Sequence, residues 1–192
     1  INRLDRETSG LVVVAKTPAI ARDWRRLWES GAVRKNYLAI VHGHAALRGQ
    51  IDGPLGKDLS SAVAIKDAVR LDGLPARTEF QVLAHFSRPE GEFSLLQVQP
   101  YTGRKHQIRI HLAHLGYPIV GDKIYGKSEH YYLDFVRGAL SADQQAALLT
   151  ENHCLHAQRI DCQGNGWSMG FRAEPEPWFG NFLPAGAAWR SS

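Results

Sequence analysis

Two rhythms of apolar and polar residues run along this chain, and the switches between them outline its elements. Leu11-Val12-Val13-Val14-Ala15 is a short, β-branched run between Gly10 and Thr17-Pro18, which predicts a buried strand over 10–16. Thr17 then offers an N-cap hydroxyl, Pro18 suits the first helical position and Gly31 is a stop, so a helix to about Ser30 is expected. Its apolar residues Ile20, Trp24, Leu27 and Trp28 recur at helical spacing, with Arg22, Arg25 and Arg26 mostly elsewhere on its surface. Over 34–41 the period becomes two. Lys35, Tyr37, Ala39 and Val41 share one face and Asn36, Leu38 and Ile40 the other, so both faces carry apolar groups and the strand is expected at the centre of a sheet.

Beyond it, 49–66 contains Gly53-Pro54 and Gly56 and reads as an irregular excursion with short strands. Residues 76–86 and 93–100 read as strands of an antiparallel hairpin joined by the longer loop Ser87-Arg88-Pro89-Glu90-Gly91. A helix is expected from about Lys105 to Leu115, with Ile108, Leu112 and Leu115 as its apolar stripe and Gly116 and Pro118 ending it. Gly121-Asp122 and Tyr125-Gly126 read as loop. Ser141 with Gln144 forms a capping box for a helix to about Thr150, and 155–162 is a last strand. The tail from Trp167 to Trp189, rich in Pro, Trp and Phe, is expected to pack as irregular structure. With no repeat, low-complexity tract or linker, the 192 residues read as one α+β domain: a mixed, mostly antiparallel sheet flanked by helices and loops.

Composition changes this picture little: 44% hydrophobic and 22% charged residues are ordinary for a globular protein. No apolar run approaches the roughly 20 residues that span a bilayer. Cys154 and Cys162 form neither a disulfide framework nor a zinc spacing, which suits two buried thiols in a reducing cytoplasm. Charge says more. Lys and Arg exceed Asp and Glu by 23 to 19, and the cations cluster at Arg22-Arg25-Arg26, Arg34-Lys35 and Arg104-Lys105-Arg109, a distribution suited to a polyanion.

Asp5 is the residue with the clearest chemistry. It lies in Asn2-Arg3-Leu4-Asp5-Arg6-Glu7-Thr8-Ser9-Gly10, a turn with arginines on both sides. The ordinary fate of such an Asp is to cap its own backbone and pair with surface arginines. An ionised, positioned carboxylate can also act as a nucleophile or a base. Arg109 sits between Ile108 and Ile110, and an arginine in so apolar a setting needs an acidic partner. His111 and His114 stand three apart on the expected helix, but no acid or cysteine falls in register with them and His106, so no metal is expected. Phosphate-loop, dinucleotide and serine-hydrolase motifs are absent.

Three segments together resemble the RluA-type family of RNA pseudouridine synthases. Residues 2–11 resemble its His-Arg-Leu-Asp-x-x-Thr-Ser-Gly signature. Residues 35–43 resemble its Lys-x-Tyr-x-Ala-x-Val-x-Gly strand, and Thr102 to Leu112, continuing through Gly121-Asp122, resembles its Thr-Gly-Arg-x-His-Gln-Ile-Arg-x-His helix and the loop after it. Leu155-His156-Ala157 is a weaker fourth match. Asn2 stands where the family usually has His, and Lys105 where it often has Ser or Thr. The resemblance implies the pseudouridine synthase catalytic fold, with strands ahead of the Asp5 motif missing from this piece. It implies conversion of a flipped uridine in ribosomal or transfer RNA to pseudouridine, in the cytoplasm, by a monomer with no cofactor and no membrane partner. Asp5 would be the catalytic carboxylate, attacking ribose C1′ or assisting a glycal intermediate. Tyr37 would stack on the uracil and serve proton removal at C5, and Arg109 would pair with Asp5. Arg104, Lys105 and His106 would meet phosphates at a helix start, and Arg3 and Arg6 would add RNA contacts. The competing readings are an RNA-binding module that keeps the fold without turnover, and a glycosidase, for which Asp5 lacks a second carboxylate at suitable spacing.

Overall fold

A computed structural model describes residues 1–164, 166–184, 186 and 187. The elements, in chain order, begin with β1 (Ser9–Gly10), α1 (Pro18–Glu29), β2 (Val33–His42), β3 (Arg48–Asp52), β4 (Leu55–Lys57) and β5 (Asp67–Val69). They continue with β6 (Arg77–Arg88), β7 (Gly91–Pro100), α2 (Gln107–His114), α3 (His130–Val136) and α4 (Ala142–Leu148), and end with β8 (Leu155–Gly164), β9 (Trp167–Arg172) and α5 (Pro177–Phe182). Seven strands form one sheet in the order β1-β8-β2-β7-β6-β3, with β9 also on β8, and β4 and β5 form a small separate ribbon. Among the described residues, only the β1–β8 pairing in the sheet is parallel. This is the expected mixed, mostly antiparallel α+β architecture.

β2 lies between β7 and β8, as its two apolar faces require. Leu38, Ile40, Leu95, Leu96, Phe93 and Phe179 are fully buried in the largest apolar cluster. A second cluster joins Ile110 of α2 to Leu55, Val63 and Ile124. In a third, Trp24, Leu27 and Trp28 of α1 cover Val33, Ile160 and Cys162. Thr17 accepts the Ile20 N–H as its cap, and the Ser141–Gln144 capping box is complete. No described helix is long and apolar enough to cross a membrane.

Four expectations need correction. The run after Gly10 is not a buried strand: Val12 and Val14 face outward, Val14 79% exposed, while Leu11 and Val13 pack on the third cluster. The cause is competition for one edge, because β9 occupies β8 from Arg159 onward and leaves only His156 and Ala157 for β1. The tail is more regular than expected. Trp167, Met169 and Phe171 alternate on edge strand β9, and α5 buries Phe179 and Phe182; residues 185, 188 and 189 of that tail lie outside the described residues. The hairpin ladder runs out to Arg88–Gly91, so Pro89-Glu90 form a tight turn and not a long loop. Of the expected apolar stripe, Leu115 falls at the C-cap of α2 and is exposed, while Ile110 is buried, because the helix is enclosed on more than one side.

Candidate active site

Asp5 is held in place by the residues immediately after it. The Thr8 N–H donates to the Asp5 carbonyl at 3.0 Å, closing a turn that feeds into β1. Two side chains in the same segment are anchored to the loop before β8 and its start, and a third to the loop after α2. Thr8 Oγ1 meets His153 Nε2 at 2.7 Å, Ser9 Oγ meets His156 Nδ1 at 2.9 Å, and Glu7 receives the Lys123 ammonium at 2.9 Å. Asn2 clamps the incoming chain, its amide donating to the Leu11 carbonyl and its oxygen accepting from the Val13 N–H. Gly10 is required by geometry: φ is +113°, and a Cβ there would run into the Ala157 backbone.

Arg109 arrives from α2, which is built into the interior by its polar residues. Gln107 accepts from Thr102 Oγ1 and the Arg104 N–H, and donates to the Arg77 carbonyl and Thr78 Oγ1. His111 spends both ring nitrogens on Thr78 Oγ1 and the Gly53 carbonyl, at 2.8 and 2.9 Å. His106, just before the helix, adopts left-handed backbone (φ 54°) and meets the Tyr125 hydroxyl through Nδ1 at 2.9 Å.

The Arg109 guanidinium is divided between two acids. Nη1 donates to Asp5 Oδ2 at 3.1 Å, while Nε and Nη2 form a bidentate pair with Asp122 at 2.7 and 2.8 Å. Asp122 Oδ1 also accepts the N–H groups of Ile124 and Tyr125. The three side chains differ sharply in access: Asp122 is 0% exposed, Arg109 5% and Asp5 26%. Burial alone would raise the Asp122 pKa, but the Arg109 charge and hydrogen bonds outweigh it and hold the carboxyl well below its usual range. Gly121 enables this loop, with φ of +79° and no room for a Cβ beside Thr150 and Asn152.

Asp5, Tyr37 and Arg109 line one cleft of about 250 Å³, together with Arg3, Arg104, Lys105 and His106. Tyr37 reaches it from β2 next to a β-bulge, where Asn36 pairs with Arg159 but Tyr37 with Ala157. Burial, aided by the nearby Asp5 charge, pushes the Tyr37 phenol up to about 12, so it keeps its proton at neutral pH. Burial, with the Arg109 charge, pushes His106 down to about 4, so its ring is neutral. Lys105 is paired with Asp67 at 2.9 Å. Arg6 is elsewhere: it stacks on Phe135, 5.5 Å from the ring centroid, and lines a smaller pocket of about 140 Å³ behind Asp5 and Arg109. Sequence reasoning missed Asp122 as Arg109's main partner. It named Lys35 within a cation cluster and Trp28 as an apolar helix residue without placing either in the cleft, which both line, and it passed over the Glu7–Lys123 pair. A signal for Asp122 existed, since a buried guanidinium with five donors exceeds what one part-exposed carboxylate can satisfy.

The sequence model of RNA pseudouridylate synthases matches residues 1–114. The chain belongs to this family. It is 46% identical over 134 residues to an uncharacterized RNA pseudouridine synthase of Chloroflexus aurantiacus, covering 69% of this chain and 40% of that protein. It is 39% identical to ribosomal large subunit pseudouridine synthase D of Nitrosomonas europaea, covering 67% and 36%. With tRNA pseudouridine synthase C of Haemophilus ducreyi the identity is 41%, covering 66% and 54%. The chain therefore spans about half or less of these relatives' lengths. Among solved structures, human RNA pseudouridylate synthase domain containing 1 superposes with a TM-score of 0.71 at 28% identity, covering 92% of this chain and 68% of that one.

Proposed function

We propose that this chain is the catalytic domain of an RNA pseudouridine synthase that isomerises uridines of ribosomal or transfer RNA, with Asp5 as its catalytic carboxylate. The supporting observation is the position of Asp5. It is the one carboxylate lining the cleft among the described residues, held by an arginine whose own charge is balanced by the buried Asp122. That arrangement leaves the Asp5 oxygens accessible yet aimed. It also disfavours a glycosidase, because Asp122 is enclosed by Arg109 and Glu7 is engaged by Lys123, leaving no second acid in the cleft among the described residues.

In this reading an unstacked uridine enters the cleft and lies against Tyr37. The bond from ribose C1′ to uracil N1 breaks, and the developing positive charge at C1′ is met by Asp5, covalently or by proton removal to a glycal. The detached uracil turns, C5 bonds to C1′, the proton on C5 leaves and N1 takes one up, so nothing is oxidised or reduced. A phenol held near 12 is a poor base at neutral pH, so the role assigned to Tyr37 is stacking and not removal of the C5 proton. Arg3 and Arg104 have no acid partner among the described residues and are the cations assigned to RNA phosphates, with Lys105 and His106 completing that wall and Arg6 reaching the RNA from beside the second pocket. In this reading the enzyme acts in the cytoplasm as a monomer.

The test uses the protein containing this chain, RNA tritiated at uracil C5, and the Asp5→Asn protein. The natural enzyme releases tritium and leaves pseudouridine at defined positions; Asp5→Asn binds the RNA and releases none. Release by Asp5→Asn at the natural rate removes Asp5 from the reaction, and binding without release by the natural protein establishes an RNA-binding module in its place.

A further inference from the structure

Lys35 is buried in the wall of the cleft and has no carboxylate partner among the described residues. Its ammonium donates one hydrogen bond, to the Thr102 carbonyl at 2.8 Å, and lies 5.5 Å from the centroid of the Trp28 ring. Three N–H donors with one protein acceptor leave two to be met from the cleft. A buried cation without an anion is rare, because desolvation is costly unless a counter-charge offsets it. Every other cation in or beneath this region that is as deeply buried has such a partner: Arg109 has Asp5 and Asp122, and Lys123 has Glu7. Lys35 therefore faces the cleft with its charge uncompensated in the free protein. Burial accordingly pushes its pKa down to about 8.

The proposed substrate supplies what is missing. A nucleotide placed with C1′ at Asp5 and its base on Tyr37 brings a phosphodiester on each side of its ribose. Lys35 and Tyr37 are two apart on β2, and both line the same cleft. We propose that Lys35 is the counter-charge for one RNA phosphate, that of the nucleotide held over Asp5, and that this phosphate completes the site. The inference rests on the reading of the cleft as a uridine site. It differs from the Arg3 and Arg104 contacts, because those guanidiniums reach solvent and serve RNA generally, whereas a buried ammonium of fixed position selects one phosphate.

The experiment measures binding by the Asp5→Asn protein to a synthetic RNA stem-loop with a single unpaired uridine. The phosphates on its 5′ and 3′ sides are replaced, one at a time, by neutral methylphosphonate. With Lys35 present, one replacement weakens binding about tenfold or more, as expected for a charge-assisted hydrogen bond to a buried partner. With Lys35→Met the unmodified RNA is weakened to a similar degree, the same replacement then changes affinity less than about twofold, and the salt slope drops by nearly one ion. Lys35→Arg preserves the discrimination. If Lys35→Met does not fold, Lys35→Gln, polar but neutral, takes its place. Equal sensitivity to methylphosphonate with and without the lysine overturns the assignment, as does insensitivity of the lysine protein to both replacements. Tritium release by the protein with Asp5 intact is scored separately. Turnover without phosphate coupling refutes Lys35 alone, and coupling without turnover refutes only the isomerase reading.

Discussion

Replacing Asp122 by Asn separates the scaffold of the site from its chemistry. Arg109 is 5% exposed and Asp122 0%, and the two share a bidentate pair of 2.7 and 2.8 Å. Asp122→Asn keeps the shape but removes the charge and turns an NH₂ group toward a guanidinium that can only donate. Breaking a buried pair from one side costs about 3–5 kcal/mol, a large part of the 5–15 kcal/mol that holds an average domain folded. At about 2–4 °C per kcal/mol for a chain of this size, Tm should fall by about 6–20 °C. Asp5→Asn offers the contrast, because Asp5 is 26% exposed, contributes one bond at 3.1 Å and leaves the Asp122 pair intact. Its cost is about 1 kcal/mol or less, a shift below about 4 °C. The two substitutions should therefore invert: Asp5→Asn abolishes turnover with little loss of stability, while Asp122→Asn loses stability first. The pH dependence has a defined sign. Asp122 titrates lower in the folded protein than in the unfolded chain, where an Asp lies near about 3.9. Its stabilisation is complete above about pH 5 and is lost as pH falls toward the folded value. Thermal melts of the three proteins from neutral pH down to acid, with circular dichroism as readout, test this. If Asp122→Asn melts within about 2 °C of the natural protein and keeps the same acid limb, the Asp122–Arg109 pair is not what holds the site.

Two further outcomes are expected from the same geometry. Tyr37→Ala should lose more activity than Tyr37→Phe, by about 1–3 kcal/mol of base stacking, and neither protein should differ from the natural one in an alkaline limb of the kcat profile below about pH 10, because the phenol is held near 12; an alkaline limb that Tyr37→Phe abolishes refutes the stacking role. Gly10→Ala should cost at least about 1–3 kcal/mol through its left-handed backbone and the Ala157 backbone it would strike, and kcat/KM should drop with it as Asp5 shifts. A Gly10→Ala protein of natural Tm and activity shows the β1–β8 contact to be dispensable.

Much of the sheet was legible because its signals are local. The period of two in β2, the strand-forming runs of β6, β7 and β8 and the capped starts of α1 and α4 are written in neighbouring residues. What failed depended on partners remote in the chain. Leu11 to Ala15 has the composition of a buried strand, but whether it pairs is decided by β9, some 150 residues later, which occupies that edge. The alternation of Trp167, Met169 and Phe171 was present in the sequence and was obscured by the Gly and Pro around it. At the site, Asp5, Tyr37 and Arg109 were named from motifs and do line one cleft. Asp122 was passed over as a loop residue: the buried Arg109 called for a second acid, but nothing beside Asp122 in sequence marks it as that partner. Lys35 was read as part of a cation cluster and a motif but not as an unpaired buried charge, because an absent partner is visible only once the surrounding side chains are in place.

The register of β8 has a wider implication. Ala157 is opposite Gly10 on one side and opposite Tyr37 on the other, so a single small residue serves as the ruler between the acid-bearing turn and the aromatic platform. Segments away from that ruler, such as α3 and α4, can be lengthened or exchanged without retuning that spacing. One residue inserted into β8 just ahead of Ala157 would instead present opposite faces to both neighbours at once, so diversification of this scaffold is expected to spare that strand and accumulate around it.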